Sequence, residues 1–337
     1  MRMIQPVQGA TEPAGSYHSP RALLADCGLQ PGDLPYAIDE APDFPFLVPR
    51  ALVARIQPGN PNDPILRQVL SSVEERIDDP DTSTDPVEER SFAQDGGLIR
   101  KYPGRALLVT TGACAIHCRY CFRRHTDYAA VGMGRQLDTA IAAIRQDPSL
   151  HEVILSGGDP LSLSGPRLEA LVDALAEIEH LRTLRLHSRS VVVDPSRVTR
   201  RLIDQLAATR LQVVMVTHVN HAQELGADAR DGLAALARAG VTLLNQAVLL
   251  KGVNDQVETL AELSEALFAN RVLPYYLHAL DPVSGASHFR VSDAVALPLM
   301  QALRDRLPGY LVPRYVREVP GDASKRPVVE EHRMTGP

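Results

Sequence analysis

Three cysteines, Cys114, Cys118 and Cys121, fall within the segment LLVTTGACAIHCRYCFRRH. Thiols spaced this closely are suited to metal or redox chemistry. Three thiolates can hold three irons of a 4Fe–4S cluster and leave the fourth open to a substrate or cofactor, whereas four ligands would enclose every iron. That pattern suits a catalytic cluster better than a plain electron carrier. Zinc held by the three thiolates with His117 or His125 is the alternative, although no distant second pair of cysteines supports it. The fourth cysteine, Cys27, stands alone and reads as a buried thiol. A disulfide framework would instead spread an even set through a short secreted chain.

Further residues that could do chemistry lie downstream. In ILSGGDP, Gly157 and Gly158 permit close backbone approach, and Asp159 could accept a bond from an ammonium. Alone, the segment reads as an ordinary strand-end turn. Lys325 sits between Pro320-Gly321 and Pro327, and by itself reads as a solvated lysine in a charged tail. Asp281 and Glu318 read alone as loop acids. The run Arg119, Arg123, Arg124, His125 could mimic a nucleic-acid patch, but it is isolated in a chain of formal charge -6.

These residues need elements to position them. From about residue 105, short apolar runs (ALLVT, EVILSG, TLRLHS, QVVMVTH, VTLLNQAVLL, VLPYYLH) alternate with amphipathic stretches such as PRLEALVDALAEI and QVETLAELSEALFAN. Six such strand–helix units predict an α/β fold with a parallel sheet covered by helices. Six is short of the eight that close a TIM barrel, so the expectation is a partial (βα)6 TIM-like barrel over residues 101–308, with a doubly wound sheet as the alternative. Either arrangement puts ligands at the carboxyl ends of the strands. Residues 1–100 are proline-rich with short apolar segments, and predict a helical extension without a strong core of its own. Residues 309–337 read as a tail folded back over the barrel, too rich in proline and charge to be another unit.

Composition narrows the class further. Of 337 residues, 45% are hydrophobic and 23% charged, as in soluble globular proteins. No apolar run approaches the roughly 18 residues of a membrane span. The N-terminus MRMIQPVQGATEPAG lacks the apolar core of a secretory signal. The cytoplasm is therefore expected, with neither membrane nor nucleic acid as a partner.

The Cys-x3-Cys-x2-Cys loop, with Tyr120 before its last cysteine, resembles the radical S-adenosylmethionine (SAM) superfamily. The resemblance extends along the chain. KYPGRALLVTTGACAIHCRYCFRRH, ILSGGDPL, THVNHAQE, NQAVLLKGVND, PYYLHALDPVSGASHF and PGDASKRPV, in that order over about residues 100–330, resemble the lysine 2,3-aminomutase family. FLVPRALVARIQPGNPNDPILRQVL looks similar to it as well.

The resemblance implies a 4Fe–4S cluster on Cys114, Cys118 and Cys121, with SAM on its open iron. It makes Gly157-Gly158-Asp159 the counterpart of a Gly-Gly-Glu element that contacts the SAM amino group, with Asp in place of the commoner Glu. It implies pyridoxal phosphate (PLP) as a Schiff base on the catalytic Lys325, with Arg105 on the PLP phosphate. The family has a longer glycine run before this lysine; here Asp322, Ala323 and Ser324 stand there, which suggests a less flexible loop. Arg123 corresponds to the arginine that clamps the substrate carboxylate, a two-bond task suited to a guanidinium. Asp281 and Glu318 correspond to the acids on the ε-ammonium, Glu318 standing where the family has Asp. His218, Asn220, His221 and Gln246 fall where SAM or PLP is contacted, though buried strand-end histidines are commonly structural.

The chain has no cysteine after Cys121 and ends at Pro337, whereas catabolic lysine 2,3-aminomutases continue into a zinc-binding region. The resemblance is therefore closest to the branch that makes (R)-β-lysine from (S)-α-lysine for elongation factor P. Its partners would be free lysine, a lysyl-tRNA-synthetase-like ligase and a reductase such as flavodoxin, with a homo-oligomer left open. The catabolic enzyme and a non-catalytic iron–sulfur scaffold are the alternatives. A glutamate 2,3-aminomutase would need neutral or basic groups in place of Asp281 and Glu318.

Overall fold

The computed structural model describes residues 15–128 and 137–329. The segment ahead of residue 15, which carries most of the stretch read for a signal, and the end of the tail from residue 330 lie outside the described residues.

The chain opens with an antiparallel pair, β1 (Ser16–Tyr17) and β2 (Val48–Pro49), and the short helices α1 (Pro20–Asp26), α2 (Arg50–Val53) and α3 (Pro64–Val69). Asp63 caps α3, its carboxylate accepting from the Ile65 and Leu66 N–H groups at 2.8 and 3.0 Å. Pro64 occupies the first helical position, where a missing N–H costs nothing. Leu23, Leu24, Leu52, Ile65 and Leu66 are fully buried together. The expectation of an extension without its own core is thus corrected. Its apolar residues are scattered over short segments, so no single stretch reveals the cluster. That cluster also includes Ala115 and Ile116 of the cysteine loop, so the extension packs directly on the loop.

A one-turn helix, α4 (Glu89–Phe92), leads into β3 (Ala93–Gln94) and β4 (Leu98–Ile99), which pair antiparallel with each other, and β4 pairs antiparallel with β5 (Arg105–Thr111). The predicted alternation follows: β5, α5 (Leu137–Gln146), β6 (Glu152–Gly157), α6 (Gly165–Ala176), β7 (Thr183–Ser188), α7 (Ser190–Val193), α8 (Arg200–Ala208), β8 (Gln212–Thr217), α9 (Ala227–Arg238), β9 (Thr242–Val248), α10 (Val257–Ala269), β10 (Leu273–His278) and α11 (Asp293–Arg306). Strands β5 to β10 are parallel, and each pairs with the next in sequence. A doubly wound sheet reverses its strand order at a switch point; this one does not. The sheet is singly wound like a barrel, and among the described residues its edges do not pair.

The tail departs from expectation. After α11 it supplies β11 (Arg314–Arg317), parallel to β10, and then β12 (Arg326–Pro327), antiparallel to β11. The arginines at both ends of β11 hid a strand whose Tyr315 and Val316 are buried.

Fully buried residues alternate with half-buried ones along β7 and β9. Leu184, Leu186, Leu243 and Ala247 join the large core cluster. The alternate positions, which include Arg185, His187 and Gln246, are only half-buried. A period of two sends these to the opposite face of the sheet, where they stand beside the half-buried Leu244 and Val248.

Candidate active site

The cysteine loop leaves the carboxyl end of β5 and is tied to the extension. The His117 N–H donates to Leu47 O at 2.9 Å, the Arg119 N–H donates to Gln68 O at 3.0 Å, and His117 Nδ1 lies 2.9 Å from Pro45 O. His125 Nε2 lies 2.9 Å from Ser284 O. Both histidines considered for zinc are therefore engaged elsewhere. Among the described residues, no group of three His, Cys, Asp or Glu side chains could hold a metal ion. A four-iron cluster is wider and gives each thiolate an iron of its own, so the half-buried thiols of Cys114, Cys118 and Cys121 fit that group. Burial pushes the Cys114 thiol up and the Cys121 thiol to about 11; bound iron would hold both ionised.

The basic run is no surface patch. Arg119 is fully buried, and Glu75 of the extension holds it through Nε at 2.8 Å. The same carboxylate takes Arg124 Nη2 at 2.5 Å. Arg119 Nη1 and Arg124 Nη1 donate to the Phe44 and Gly285 carbonyls at 3.1 and 3.0 Å. Glu75 therefore pins the arginines on either side of Cys121. A lone glutamate in a polar stretch gave no sign of this role.

Gly157 and Gly158 lie under the loop. Gly157 has φ +123°, and a Cβ there would lie 2.4 Å from Thr111 O; one on Gly158 would lie 2.3 Å from Ala113 O. Only glycine lets β6 pass this close to the loop backbone. Asp159 does something other than expected. Oδ1 accepts from the Leu161 N–H and Ser188 Oγ, both at 2.9 Å, while Oδ2 accepts from the Arg189 and Ser190 N–H groups at 2.8 and 2.9 Å. Leu161 is in the turn just after β6, and the other donors are at the end of β7 and the start of α7, so the carboxylate is saturated by protein donors in this conformation.

Next to the thiols lies a buried network in which Tyr120, His218 and Asn220, marked in the sequence, meet Arg189, Gln68 and Glu224, which sequence reading missed. Arg189 Nη1 donates to Cys118 Sγ at 2.7 Å and also to Tyr120 Oη. Arg189 Nη2 donates to Gln68 Oε1 and Glu224 Oε2, both at 2.9 Å. Asn220 Nδ2 donates to Tyr120 Oη at 2.7 Å, and His218 Nε2 lies 2.9 Å from the same oxygen. Burial lowers the His218 pKa well below its ordinary value. The His221 N–H donates to Glu224 Oε1 at 3.0 Å.

At the other end of the sheet, Lys325 precedes β12 and its Nζ pairs with Glu318 just past β11. Lys101 Nζ reaches Glu318 Oε1 at 2.7 Å, and Tyr102 Oη donates to the same oxygen at 2.6 Å. Burial would raise the Glu318 carboxyl, but Lys325, Lys101 and Tyr102 bring it down to about 2. Asp281 has no such donors; burial raises it to about 7 against the pull of Lys325. Arg105 starts β5 with its guanidinium 4.8 Å from the Tyr102 ring centre, and Gln246 is half-buried on β9. His187, at the end of β7, lies within electrostatic reach of both Lys325 and Arg123, and its buried Nε2 has no partner among the described residues. Lys325, Arg105 and this orphaned nitrogen give a cofactor bearing an aldehyde and a phosphate a set of groups that fits.

Arg123 is buried. Its Nε and Nη2 donate to the two oxygens of Glu89 at 2.8 and 2.6 Å, and its Nη1 donates to Ser156 Oγ at 3.0 Å and Gly157 O at 2.9 Å.

Residues 108–264 match the model of the radical SAM superfamily. The chain is 48% identical over 286 residues to L-lysine 2,3-aminomutase of Escherichia coli K12, covering 85% of this chain and 83% of that protein. It is 42% identical over 307 residues to the Haemophilus influenzae L-lysine 2,3-aminomutase, covering 91% of each. The Clostridium subterminale L-lysine 2,3-aminomutase is 37% identical over 280 residues, but only 67% of that longer protein is covered. A sheet that brings a three-thiol loop, a lysine paired with a carboxylate and a buried arginine to its strand ends, with likeness of this extent, places the chain in the L-lysine 2,3-aminomutase family of radical SAM enzymes.

Proposed function

We propose that this protein is a radical SAM, PLP-dependent isomerase that moves the amino group of (S)-α-lysine from C2 to C3, giving (R)-β-lysine. The observation that carries the reading is the set of opposite charges on the chain's family motifs: Lys325 against Glu318, Asp281 within electrostatic reach of both, and Arg123 of the cysteine loop bonded to the end of β6. Cys114, Cys118 and Cys121 would hold a 4Fe–4S cluster, Lys325 would hold PLP covalently, and Arg105 would take the PLP phosphate. SAM would lie over the Gly157–Gly158 backbone within reach of His218 and Gln246. When bound, these cofactors supply radical generation and a conjugated ring able to carry the migrating nitrogen.

This chain's own residues orient the substrate. Arg123 takes the α-carboxylate, and Asp281 with Glu318 takes the ε-ammonium, which fixes both ends of a flexible amino acid. Two acids at the tail end favour lysine and repel a glutamate side chain. The proposal extends to the branch that supplies β-lysine for elongation factor P, which the motifs of this sequence most resemble, Glu318 and the Ser324–Lys325 junction among them. In that pathway a lysyl-tRNA-synthetase-like ligase would consume the product, and flavodoxin would supply electrons in the cytoplasm. No helix among the described residues is long and apolar enough to cross a membrane.

The test is anaerobic reconstitution with iron, sulfide and PLP, followed by SAM, reductant and (S)-α-lysine. β-Lysine forms with the wild-type protein and is absent for Lys325→Ala and Cys118→Ala. Release of 5′-deoxyadenosine without β-lysine would leave the radical SAM assignment and overturn the substrate.

A further inference from the structure

The hydrogen bonds already on Arg123 decide how much of it remains for a ligand. A guanidinium has five N–H donors. Nε and one Nη2 N–H go to Glu89, and both Nη1 donors go to Ser156 Oγ and Gly157 O. Among the described residues nothing takes the second N–H on Nη2, so one donor is left. A substrate carboxylate can therefore take a single bond from this guanidinium, in place of the two-bond clamp expected from sequence.

We propose that Glu89, from the N-terminal extension, is the positioning residue of the carboxylate site: it grips the Nε–Nη2 edge of Arg123 so that the remaining N–H faces the substrate. The inference rests on the reading that Arg123 receives the α-carboxylate. The pair is enclosed, with side-chain exposures of 7% for Arg123 and 19% for Glu89. A guanidinium buried to that degree cannot turn toward a ligand after it arrives, so its direction has to be set beforehand.

The segment carrying Glu89 is itself firmly held. The Asp85 carboxylate accepts from the Glu89 N–H at 3.0 Å and the Arg90 N–H at 3.3 Å. Val87 is buried, and Lys101 Nζ donates to its carbonyl at 2.8 Å. Glu88 adopts φ +53°, in the left-handed region that bulky side chains avoid unless their surroundings over-determine it. The Ser83 N–H donates to Pro282 O at 2.8 Å, and the Ser284 N–H donates to Ser83 O at 3.1 Å. The segment is thus stitched to the loop that carries Asp281, and one strap braces the groups proposed for both ends of the substrate.

The test uses holoprotein reconstituted with cluster and PLP. It is titrated with L-lysine and with 1,5-diaminopentane, which lacks the carboxylate, and binding is read from the PLP absorbance. Glu89→Gln, Arg123→Met and the double variant are compared with wild type. Glu89→Gln weakens L-lysine on the order of tenfold or more, the loss of one oriented charge-assisted bond, and leaves diaminopentane within about twofold. In the Arg123→Met background it adds no further loss, because the two residues act as one unit. An unchanged lysine affinity in Glu89→Gln, beside a weakened Arg123→Met, overturns the inference while sparing the role of Arg123. Tighter lysine binding overturns it too, because Glu89 would then be competing with the substrate. Equal losses for both ligands reduce Glu89 to a purely structural part. If Arg123→Met binds lysine as wild type does, the carboxylate reading itself fails and takes the inference with it.

Discussion

Asp159→Asn separates a ligand-facing carboxylate from one spent on the fold. In the wild-type protein each carboxylate oxygen accepts at least two bonds: Oδ1 from Leu161 N–H and Ser188 Oγ, Oδ2 from Arg189 N–H and Ser190 N–H. An amide keeps only one acceptor oxygen. Its least costly placement leaves the oxygen on the two α7 donors and turns the NH2 toward Leu161, where Ser188 can rotate to accept but the Leu161 N–H cannot. That buried donor is orphaned at about 1–3 kcal/mol, and the two surviving backbone bonds lose charge assistance at about 1 kcal/mol each. The sum is about 3–5 kcal/mol, a fall of roughly 4–7 °C in Tm for a chain of 337 residues. Thermal melting of wild-type and variant apoprotein, followed by circular dichroism, measures it. SAM affinity of the reconstituted proteins, by equilibrium dialysis, provides the second axis. An unchanged Tm with SAM binding lost would refute the reasoning and return the carboxylate to the ligand.

Three other perturbations have definite outcomes. Gly158→Ala drives a Cβ to 2.3 Å from Ala113 O and displaces the cysteine loop; iron bound per chain after reconstitution falls well below wild type while the helical circular dichroism is kept. Glu75→Gln strips the shared counter-charge from Arg119 and Arg124 and costs about 3–5 kcal/mol, seen as a lower denaturant midpoint together with poor iron uptake. Burial raises the Glu75 carboxyl, but the two arginines hold it below the ordinary range. Its contribution in the wild type is therefore complete above the ordinary glutamate pKa and lost as pH falls through the folded value. Burial raises Asp281 to about 7, so the group is protonated and neutral below that pH. Lysine affinity therefore declines as pH drops through about 7, and Asp281→Asn removes that limb of the titration profile.

The parts of the site legible in the sequence were those whose chemistry is local. Three thiols in one loop, two glycines that must admit a neighbouring backbone, and strands of β-branched residues between amphipathic helices declare themselves within short windows. What escaped depends on distant pairings. Glu75 and Glu89 looked like any acids of a polar stretch until the fold brought them to Arg119, Arg124 and Arg123. The extension's core is assembled from segments too short to show a period. The final parallel strand is four residues long with arginine at either end. Asp159 was visible as a residue but not as an acceptor for α7, because the chain leaves β6 and returns through α6 and β7 before supplying those donors.

The ion pair between Lys101 and Glu318 has a mechanical meaning. Lys101 lies just ahead of the first parallel strand and Glu318 just beyond the last, and they meet at 2.7 Å across a sheet whose edges share no ladder. The pair works as a clasp on a split ring. It lies beside the backbone bonds that join Ser83 to Pro282 and Ser284, so the two ends of the sheet are held together by side chains and loop backbone in place of a ladder. Both side chains of the pair are nearly buried, at 8% and 10% exposure, so salt, which screens enclosed charges much less than exposed ones, leaves the clasp closed.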